Sequence, residues 1–72
     1  MMGMRQVILH PDHEDGGWVC EVPSLPGCAT QGETREEALR NVQDAIKAWI
    51  DAAVALGRTV PDDARDVEIR VV

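Results

Sequence analysis

The sequence has few aromatic residues, few basic residues and no long apolar run. Its 72 residues include the two tryptophans Trp18 and Trp49 but no tyrosine and no phenylalanine. The core must therefore be built mainly from Val, Ile, Leu and Ala side chains. Since a domain of this size buries only about 60% of the surface that its unfolded chain exposes, that core is thin. The length predicts one domain, residues 1–72, and the thin core favours self-association.

Basic side chains are scarce and scattered along the chain. The 7 Lys and Arg residues stand against 13 Asp and Glu residues, which gives a formal net charge of −6. Nucleic-acid binding rests largely on Lys and Arg neutralising phosphates, so direct binding of DNA or RNA is not expected. A basic protein partner is favoured, because complementary charge speeds encounter. The simpler interpretation, that the acidic charge only aids solubility, stays open.

No apolar run marks a targeting segment or a membrane span. The start of the chain lacks the run of about 7–15 apolar residues of a signal peptide. No stretch approaches the ~20 apolar residues that cross a bilayer. We therefore expect a cytoplasmic protein without membrane contact. In that compartment Cys20 and Cys28 are expected to be reduced thiols that pack as small buried hydrophobes.

Side chains that could carry catalysis are few. The candidate nucleophiles and bases are one serine, two cysteines and two histidines: Ser24, Cys20, Cys28, His10 and His13. Ser24 lies in a turn without the G-x-S-x-G elbow, and no C-x-x-C zinc pattern is present. The acidic turn over residues 11–17 lacks convergent metal ligands, although a loosely held surface cation there remains an alternative. The sequence therefore predicts a protein that is not an enzyme and that needs no cofactor or metal.

Proline and glycine residues divide the chain into five expected elements. Three strands are predicted, over residues 4–10, 17–22 and 28–32. We expect Pro11 to end the first strand, since proline cannot donate to a strand ladder. A long helix is predicted over residues 34–57 and a last, alternating strand over residues 66–72. The expected fold class is α+β, in the order β-β-β-α-β, with an antiparallel sheet and one long helix packed on one face.

The predicted helix has signals at both ends and an apolar face. Thr34 followed by Glu37 is the S/T-x-x-E capping box, and Gly57 is placed to close the helix in the left-handed conformation. The predicted core face comprises Leu39, Val42, Ile46, Trp49, Ala53 and Leu56. A second apolar set comprises Ala38, Ala45, Ile50, Ala52 and Val54. This set predicts a further contact, with Ile50 and Val54 as candidate oligomer residues, unless its alanines serve only as helix formers.

One ordered pattern, over residues 16–50, resembles the HicB-like antitoxin family. That family's signature reads roughly as an aromatic strand followed by VPxLPGCxTxGxTxEEALxNxxEAI. The matching residues are Val22, Pro23, Leu25, Pro26, Gly27, Cys28, Thr30, Gly32, Thr34, Glu36, Glu37, Ala38, Leu39, Asn41, Ala45 and Ile46. A match of this length is far more specific than a short motif, and the family domain would span essentially the whole chain.

The resemblance implies a partial, inactive ribonuclease-H-like fold and an antitoxin's function. Such a protein binds a HicA-like toxin, which is a small basic protein that cleaves mRNA, and blocks it sterically. The acidic charge of this chain fits such a partner. The resemblance implies structural rather than catalytic roles for the motif residues Pro23, Leu25, Pro26, Gly27, Cys28, Gly32, Thr34, Glu37 and Ala38.

Two expectations concern DNA and assembly. Many family members carry a further C-terminal DNA-binding segment, and none follows here, so direct binding to an operator is not expected. The thin core and the wide apolar surface of the helix predict a homodimer or homotetramer. The alternative to the antitoxin hypothesis is an orphan homo-oligomeric adaptor or regulatory domain that has no toxin partner.

Overall fold

The computed structural model describes residues 5–63, in which three strands are followed by one long helix. The elements are β1 (Ile8–Pro11), β2 (Trp18–Glu21), β3 (Ala29–Gly32) and α1 (Arg35–Ala55). The strands form one antiparallel sheet in the order β1-β2-β3. The α+β arrangement of an antiparallel sheet and one long helix is confirmed. The strand predicted over residues 66–72 lies outside the described residues.

β1 differs from the predicted range 4–10, because it begins later and includes Pro11. Pro11 lies opposite Trp18 in the register of β1 and β2. Antiparallel partners alternate between hydrogen-bonded and non-bonded pairs. The 2.9 Å bond from Asp12 N to Gly17 O makes the next pair a bonded one, so Pro11 and Trp18 form a non-bonded pair. No N–H is needed from Pro11 there, so Pro11 is the last residue of β1 rather than the first residue after it.

β2 alternates between the two faces of the sheet, as its sequence predicts. Cys20 is fully buried, and Val22, just after the strand, is buried as well. Trp18 is half-buried and packs against the same core. Val19 and Glu21 point to the opposite face, since successive strand residues alternate in direction. The bounds of β2 and β3 lie within one residue of the predicted ranges.

α1 is capped at both ends by the residues that the sequence indicates. Thr34 Oγ1 accepts a hydrogen bond from Glu37 N at 3.1 Å, which confirms the predicted N-cap. The Glu37 carboxylate accepts from Glu33 N at 3.0 Å, one residue before the partner that a reciprocal capping box would use. At the other end Gly57 has a φ of 71°, the left-handed conformation expected of it.

The core lies between the sheet and α1 and uses both apolar sets of the helix. It consists of the buried residues Cys20, Val22, Leu25, Cys28, Ala38 and Val42. Ala38 is 0% exposed, and Ala45 and Ile50 also pack against this core, so the second set is not a separate face. Leu56, which was predicted to lie in the core, is instead 69% exposed.

The exposure of Leu56 follows from a difference in length between the helix and the strands. The helix has 21 residues, whereas each strand has four. At ~1.5 Å per residue the helix is about 31 Å long. At ~3.3 Å per residue a four-residue strand is only about 13 Å long. The end of the helix therefore extends past the sheet that residues 5–63 form, and among these residues no strand lies beneath Leu56.

α1 approaches β3 closely, and two residues show how. A Cβ atom added at Gly32 would lie 2.5 Å from Ala38 N, so only glycine fits at this point of the strand. The Asn41 side chain donates from Nδ2 to Gln31 O at 2.8 Å. β3 thus gives one of its outward-facing backbone acceptors to the helix.

The segment after the helix returns to the start of β1. Arg5 Nη2 donates to Pro61 O at 2.8 Å. The Asp63 carboxylate accepts from Gln6 N at 3.0 and 3.1 Å. Val60 packs against the core. These contacts hold residues 60–63 beside the beginning of the sheet.

Candidate functional site

Residues 22–28, the first part of the family-like motif, form a tight turn between β2 and β3. The inner side of this turn is buried. Val22, Leu25 and Cys28 are 3%, 0% and 7% exposed. Val22 N donates to Cys28 O at 3.0 Å, which extends the pairing of the two strands. Leu25 N donates to Val22 O at 3.1 Å, and Cys28 N donates to Leu25 O at 3.0 Å. The inner half of this motif turn, residues 22–28, is therefore part of the core.

The outer half of the motif turn is exposed but held in place. Its exposed residues are Pro23, Pro26 and Gly27. Gly27 has a φ of 77°, which suits a glycine after proline in a tight turn. Trp49 Nε1 donates to Pro26 O at 3.0 Å, and Arg5 Nη1 donates to Ser24 Oγ at 2.9 Å. Helix and N-terminal segment thus fix the turn from two sides.

The two thiols behave as small core residues. Cys20 and Cys28 are both buried and are not joined in a disulfide, which confirms the prediction about their packing. Burial raises the pKa of the Cys28 thiol. The pKa of the Cys20 thiol is raised by burial first, and then by the nearby charges of Cys28 and Glu21. Both groups are therefore protonated and poorly nucleophilic in the folded protein at neutral pH.

The structure does not bring the catalytic candidates together. His10 lies on the sheet face away from the helix, with Nε2 3.8 Å from Glu21 Oε2, whereas Cys20 faces the core. His13 is exposed in the turn between β1 and β2. Ser24 Oγ accepts its hydrogen bond from a guanidinium rather than from a base. Within residues 5–63 no nucleophile is paired with an oriented base.

Neither metal binding nor membrane crossing has support in the described part of the chain. Among residues 5–63 no group of three His, Cys, Asp or Glu side chains is arranged to hold a metal ion. Over the same residues, α1 is not apolar enough for a membrane-spanning helix.

An open acidic cleft lies where the turn after β1 meets the start of α1. It has a volume of about 770 Å³, and three carboxylate residues line it: Asp15, Glu33 and Glu37. Beside it, the Arg35 guanidinium lies over the Trp18 ring, 5.8 Å from its centroid. Small-molecule sites are usually enclosed and mostly apolar, so this wide cleft does not resemble one.

The sheet surface opposite α1, called here the outer face, is the second exposed feature. The strand register places six residues on it: Ile8, His10, Val19, Glu21, Ala29 and Gln31. Ile8 and Val19 are half-buried, while the other four are exposed. A shallow groove of about 310 Å³ opens between this face and the motif turn. The sequence pattern predicts Val19, Glu21 and Ala29 on this face, which the register confirms, but it does not predict the groove.

The two candidate oligomer residues have different surroundings. Ile50 is half-buried and packs against the core of its own chain. Val54 is 64% exposed and lies near the end of the helix that extends past the sheet. Only Val54 therefore presents most of its apolar surface outward.

Together these features define a small α+β domain whose described residues assemble no catalytic centre. The chain belongs to the HicB-like antitoxin family: a family model described as HicB_like antitoxin of bacterial toxin-antitoxin system matches residues 6–71. The resemblance found in residues 16–50 is thereby confirmed. Membership in this family points to a regulatory rather than an enzymatic protein.

Relatives of two lengths are similar to this chain. UPF0150 protein Ta0767 of Thermoplasma acidophilum is 39% identical over 67 residues, which cover 92% of this chain and 97% of that protein. Antitoxin HicB 2 of Photorhabdus laumondii is 38% identical over 50 residues, covering 69% of this chain but 36% of its own length. Antitoxin HicB 1 of the same organism is 42% identical over 43 residues, covering 60% of this chain and 28% of its own length. The matches thus cover about a third of each of these two HicB antitoxins.

Proposed function

We propose that this chain is an antitoxin that binds a small, basic, HicA-like toxin and sterically prevents it from cleaving mRNA. The family match over residues 6–71 is the observation that carries the proposal. Two relatives that bear the name Antitoxin HicB support it. The proposed site of action is the cytoplasm, where mRNA and toxin meet.

The charge of the chain supports a basic partner. The formal net charge is −6, and the acidic cleft carries Asp15, Glu33 and Glu37 on one open surface. A protein that binds RNA presents Lys and Arg side chains to phosphates. An acidic protein surface competes for the same side chains, and long-range attraction raises the rate of association.

The proposed mechanism is steric inhibition: the chain covers the toxin's surface and does not modify or cleave the toxin. In the described residues the thiols are buried and the histidines lie apart from them, so neither supplies a nucleophile with its base. The tied motif turn and the short strands give a rigid surface, and rigidity lowers the entropic cost of association. A rigid acidic domain that covers the toxin's catalytic and RNA-binding surface is sufficient for inhibition.

The direct test is reconstitution with the protein encoded beside the gene of this chain. Both proteins are purified separately, mixed, and assayed for complex formation by calorimetry and for cleavage of an mRNA substrate. We expect a stable complex and loss of cleavage at a fixed molar ratio. An unrelated protein of similar size and net charge is the control for non-specific electrostatic binding. Cleavage that continues in the presence of excess chain would contradict the proposal.

A second candidate function is a homo-oligomeric adaptor without a toxin partner. The exposed apolar side chains at the end of α1 favour it, because Val54 and Leu56 are 64% and 69% exposed. Light scattering separates the two functions when it is combined with the reconstitution. An oligomer whose mass is unchanged by the toxin, and which leaves cleavage intact, would support the adaptor.

A further inference from the structure

The outer face combines apolar and charged groups that the core of residues 5–63 does not use. α1 packs on β2 and β3 from the other side. Ile8 and Val19 are not part of the core cluster or of the residues packed against it. Within residues 5–63 these side chains are therefore available for a contact with another molecule.

Glu21 gives this face its charge. Among the six residues of the outer face it is the only carboxylate, and its side chain is 54% exposed. The neighbouring His10 Nε2 lies 3.8 Å from it, which is longer than a charge-assisted hydrogen bond of about 2.7–2.9 Å. The Glu21 carboxylate can therefore still accept the two parallel N–H bonds of a guanidinium.

The groove beside Glu21 suits the apolar stem of a basic side chain. The outer-face residues Ile8, Glu21 and Ala29 form one side of it, and the exposed residues Pro23, Pro26 and Gly27 of the motif turn form the other. Lys and Arg side chains bury their methylene stems along apolar surface while the charged end stays polar. A groove lined mainly by apolar side chains, with a carboxylate at its edge, matches this shape.

The walls of the groove are fixed before any partner arrives. The motif turn is held by its own backbone bonds, by Trp49 through Pro26 O and by Arg5 through Ser24 Oγ. Such a preformed surface loses little conformational freedom on binding. The outer half of the motif turn contributes little to the core, and a role in binding a partner accounts for its residues.

We propose that the outer face and the groove beside the motif turn form the surface that docks the basic toxin, with Glu21 accepting an Arg or Lys side chain. This inference rests on the proposed antitoxin function and names the surface that performs it. Charge selects this occupant over a second copy of the chain. Two copies each carry a formal net charge of −6 over the whole chain, and each presents the Glu21 carboxylate on its outer face, so like charges would oppose each other.

The test uses Glu21→Arg and Ala29→Arg on the full chain, with the product of the adjacent reading frame as the probe. Both positions are exposed strand residues, so neither change removes a core contact. Asp44→Arg is the matched control: it makes the same charge change as Glu21→Arg at an exposed position of α1. Circular dichroism and thermal unfolding verify that all three variants fold.

We expect Glu21→Arg to raise the dissociation constant at least about tenfold, in the range of a lost interfacial charge pair. We expect a similar increase for Ala29→Arg, because it places a long side chain of the same sign as the basic toxin at the groove. Asp44→Arg should change the dissociation constant by no more than about twofold, as for a charge outside the contact.

If wild-type chain binds and inhibits the toxin but all three variants do too, the docking surface is wrong and the antitoxin function stands. If wild-type chain neither binds nor inhibits the toxin, both proposals fall. If an outer-face variant instead lowers the mass of the chain alone in light scattering, the face is a contact between copies and the docking proposal is overturned.

Discussion

The Trp49 indole donates a 3.0 Å hydrogen bond from Nε1 to the carbonyl oxygen of Pro26, which ties the middle of α1 to the outer half of the motif turn. The two residues are 23 positions apart in the chain. The bond therefore couples the position of an exposed turn to the packing of the helix. Loss of this bond should loosen the turn without removing the core beneath it.

Trp49→Phe is expected to lower the free energy of unfolding by about 1 kcal/mol, the net contribution of an ordinary hydrogen bond. Phenylalanine keeps most of the apolar ring but has no N–H to donate. Urea unfolding followed by far-ultraviolet circular dichroism measures the change, since it does not depend on tryptophan fluorescence. Trp18→Phe is the matched control, because it makes the same reduction in ring size without loss of the bond to Pro26. Equal losses in the two variants would show that the Trp49 bond contributes nothing.

Gly32→Ala is expected to destabilise the protein by about 1–3 kcal/mol, because the added methyl group overpacks a closed contact. The new Cβ atom would lie 2.5 Å from Ala38 N and 2.9 Å from the carbonyl carbon of Glu37, both of which are helix backbone atoms. The helix start must shift away from β3 to admit it. Urea unfolding and the amide exchange rates of the first helical turn measure both effects.

The control for that change is Gly27→Ala. At Gly27 an added Cβ atom would meet nothing within 4 Å, although the positive φ still disfavours alanine there. The loss of stability in Gly27→Ala therefore comes only from the strained backbone conformation and amounts to about 1–2 kcal/mol. The start of the helix stays in place. Unchanged amide exchange in the first helical turn of the Gly32→Ala protein would contradict the steric argument.

The buried thiols predict a loss of stability at alkaline pH. Both thiols have a folded-state pKa above the ordinary value of 9.0, chiefly because burial disfavours the thiolate. Their stabilising contribution is thus fully present below pH 9.0 and is lost as the pH rises through the folded-state pKa. Over that window the unfolded chain releases protons that the folded chain retains. Urea unfolding over a series of pH values measures the slope.

The comparison for the pH dependence is the double variant Cys20→Ala/Cys28→Ala. Its free energy of unfolding should be lower at every pH, since two buried sulfur atoms are lost. In this alkaline window, however, that free energy should fall less steeply with pH than it does in the wild type. The same slope in the variant and the wild type would assign the pH dependence to other groups.

Val54→Asp tests the predicted self-association. Val54 is 64% exposed, so the substitution should leave the fold of the single chain intact while placing a charge in any apolar contact there. We expect the mass measured by light scattering to fall to that of a monomer, while the far-ultraviolet circular dichroism spectrum stays that of the wild type. The charge-matched control is Ala48→Asp, at an exposed position on a different side of α1.

Ile50→Asp is a less specific test of self-association than Val54→Asp, although the sequence predicts both residues as oligomer contacts. Ile50 packs against the core of its own chain, so a charge there would destabilise the fold as well as any interface. A mass that is unchanged by Val54→Asp would exclude the end of the helix as the contact between copies.

Local chemistry made several features predictable from the sequence. Thr34 with Glu37 indicates a helix start because the cap is formed by residues three apart, and Gly57 indicates its end for a similar reason. The alternation of β2 identifies its core side because only neighbouring residues are compared. The burial of Cys20 and Cys28 follows from the small, weakly polar character of a thiol.

The errors arose where one element meets another. Whether Pro11 lies in a strand depends on which pairs of β1 and β2 are hydrogen-bonded. The sequence of either strand alone does not determine which pairs these are. The period of the helix defines a face but not how much of the helix the sheet can cover, so Leu56 was placed in the core. The bond between Trp49 and Pro26 and the groove beside Glu21 likewise require the three-dimensional placement of distant segments.

Asn41 has a consequence for how this chain behaves when it is abundant. β3 is an edge strand of the sheet that residues 5–63 form, and the Asn41 side chain occupies the Gln31 carbonyl on its outward side, which is an acceptor that an added strand would need. Exposed sheet edges recruit further strands and lead to ordered aggregates unless something blocks them. Asn41 thus blocks one pairing site on this edge, which disfavours polymerisation through β3 at high concentration.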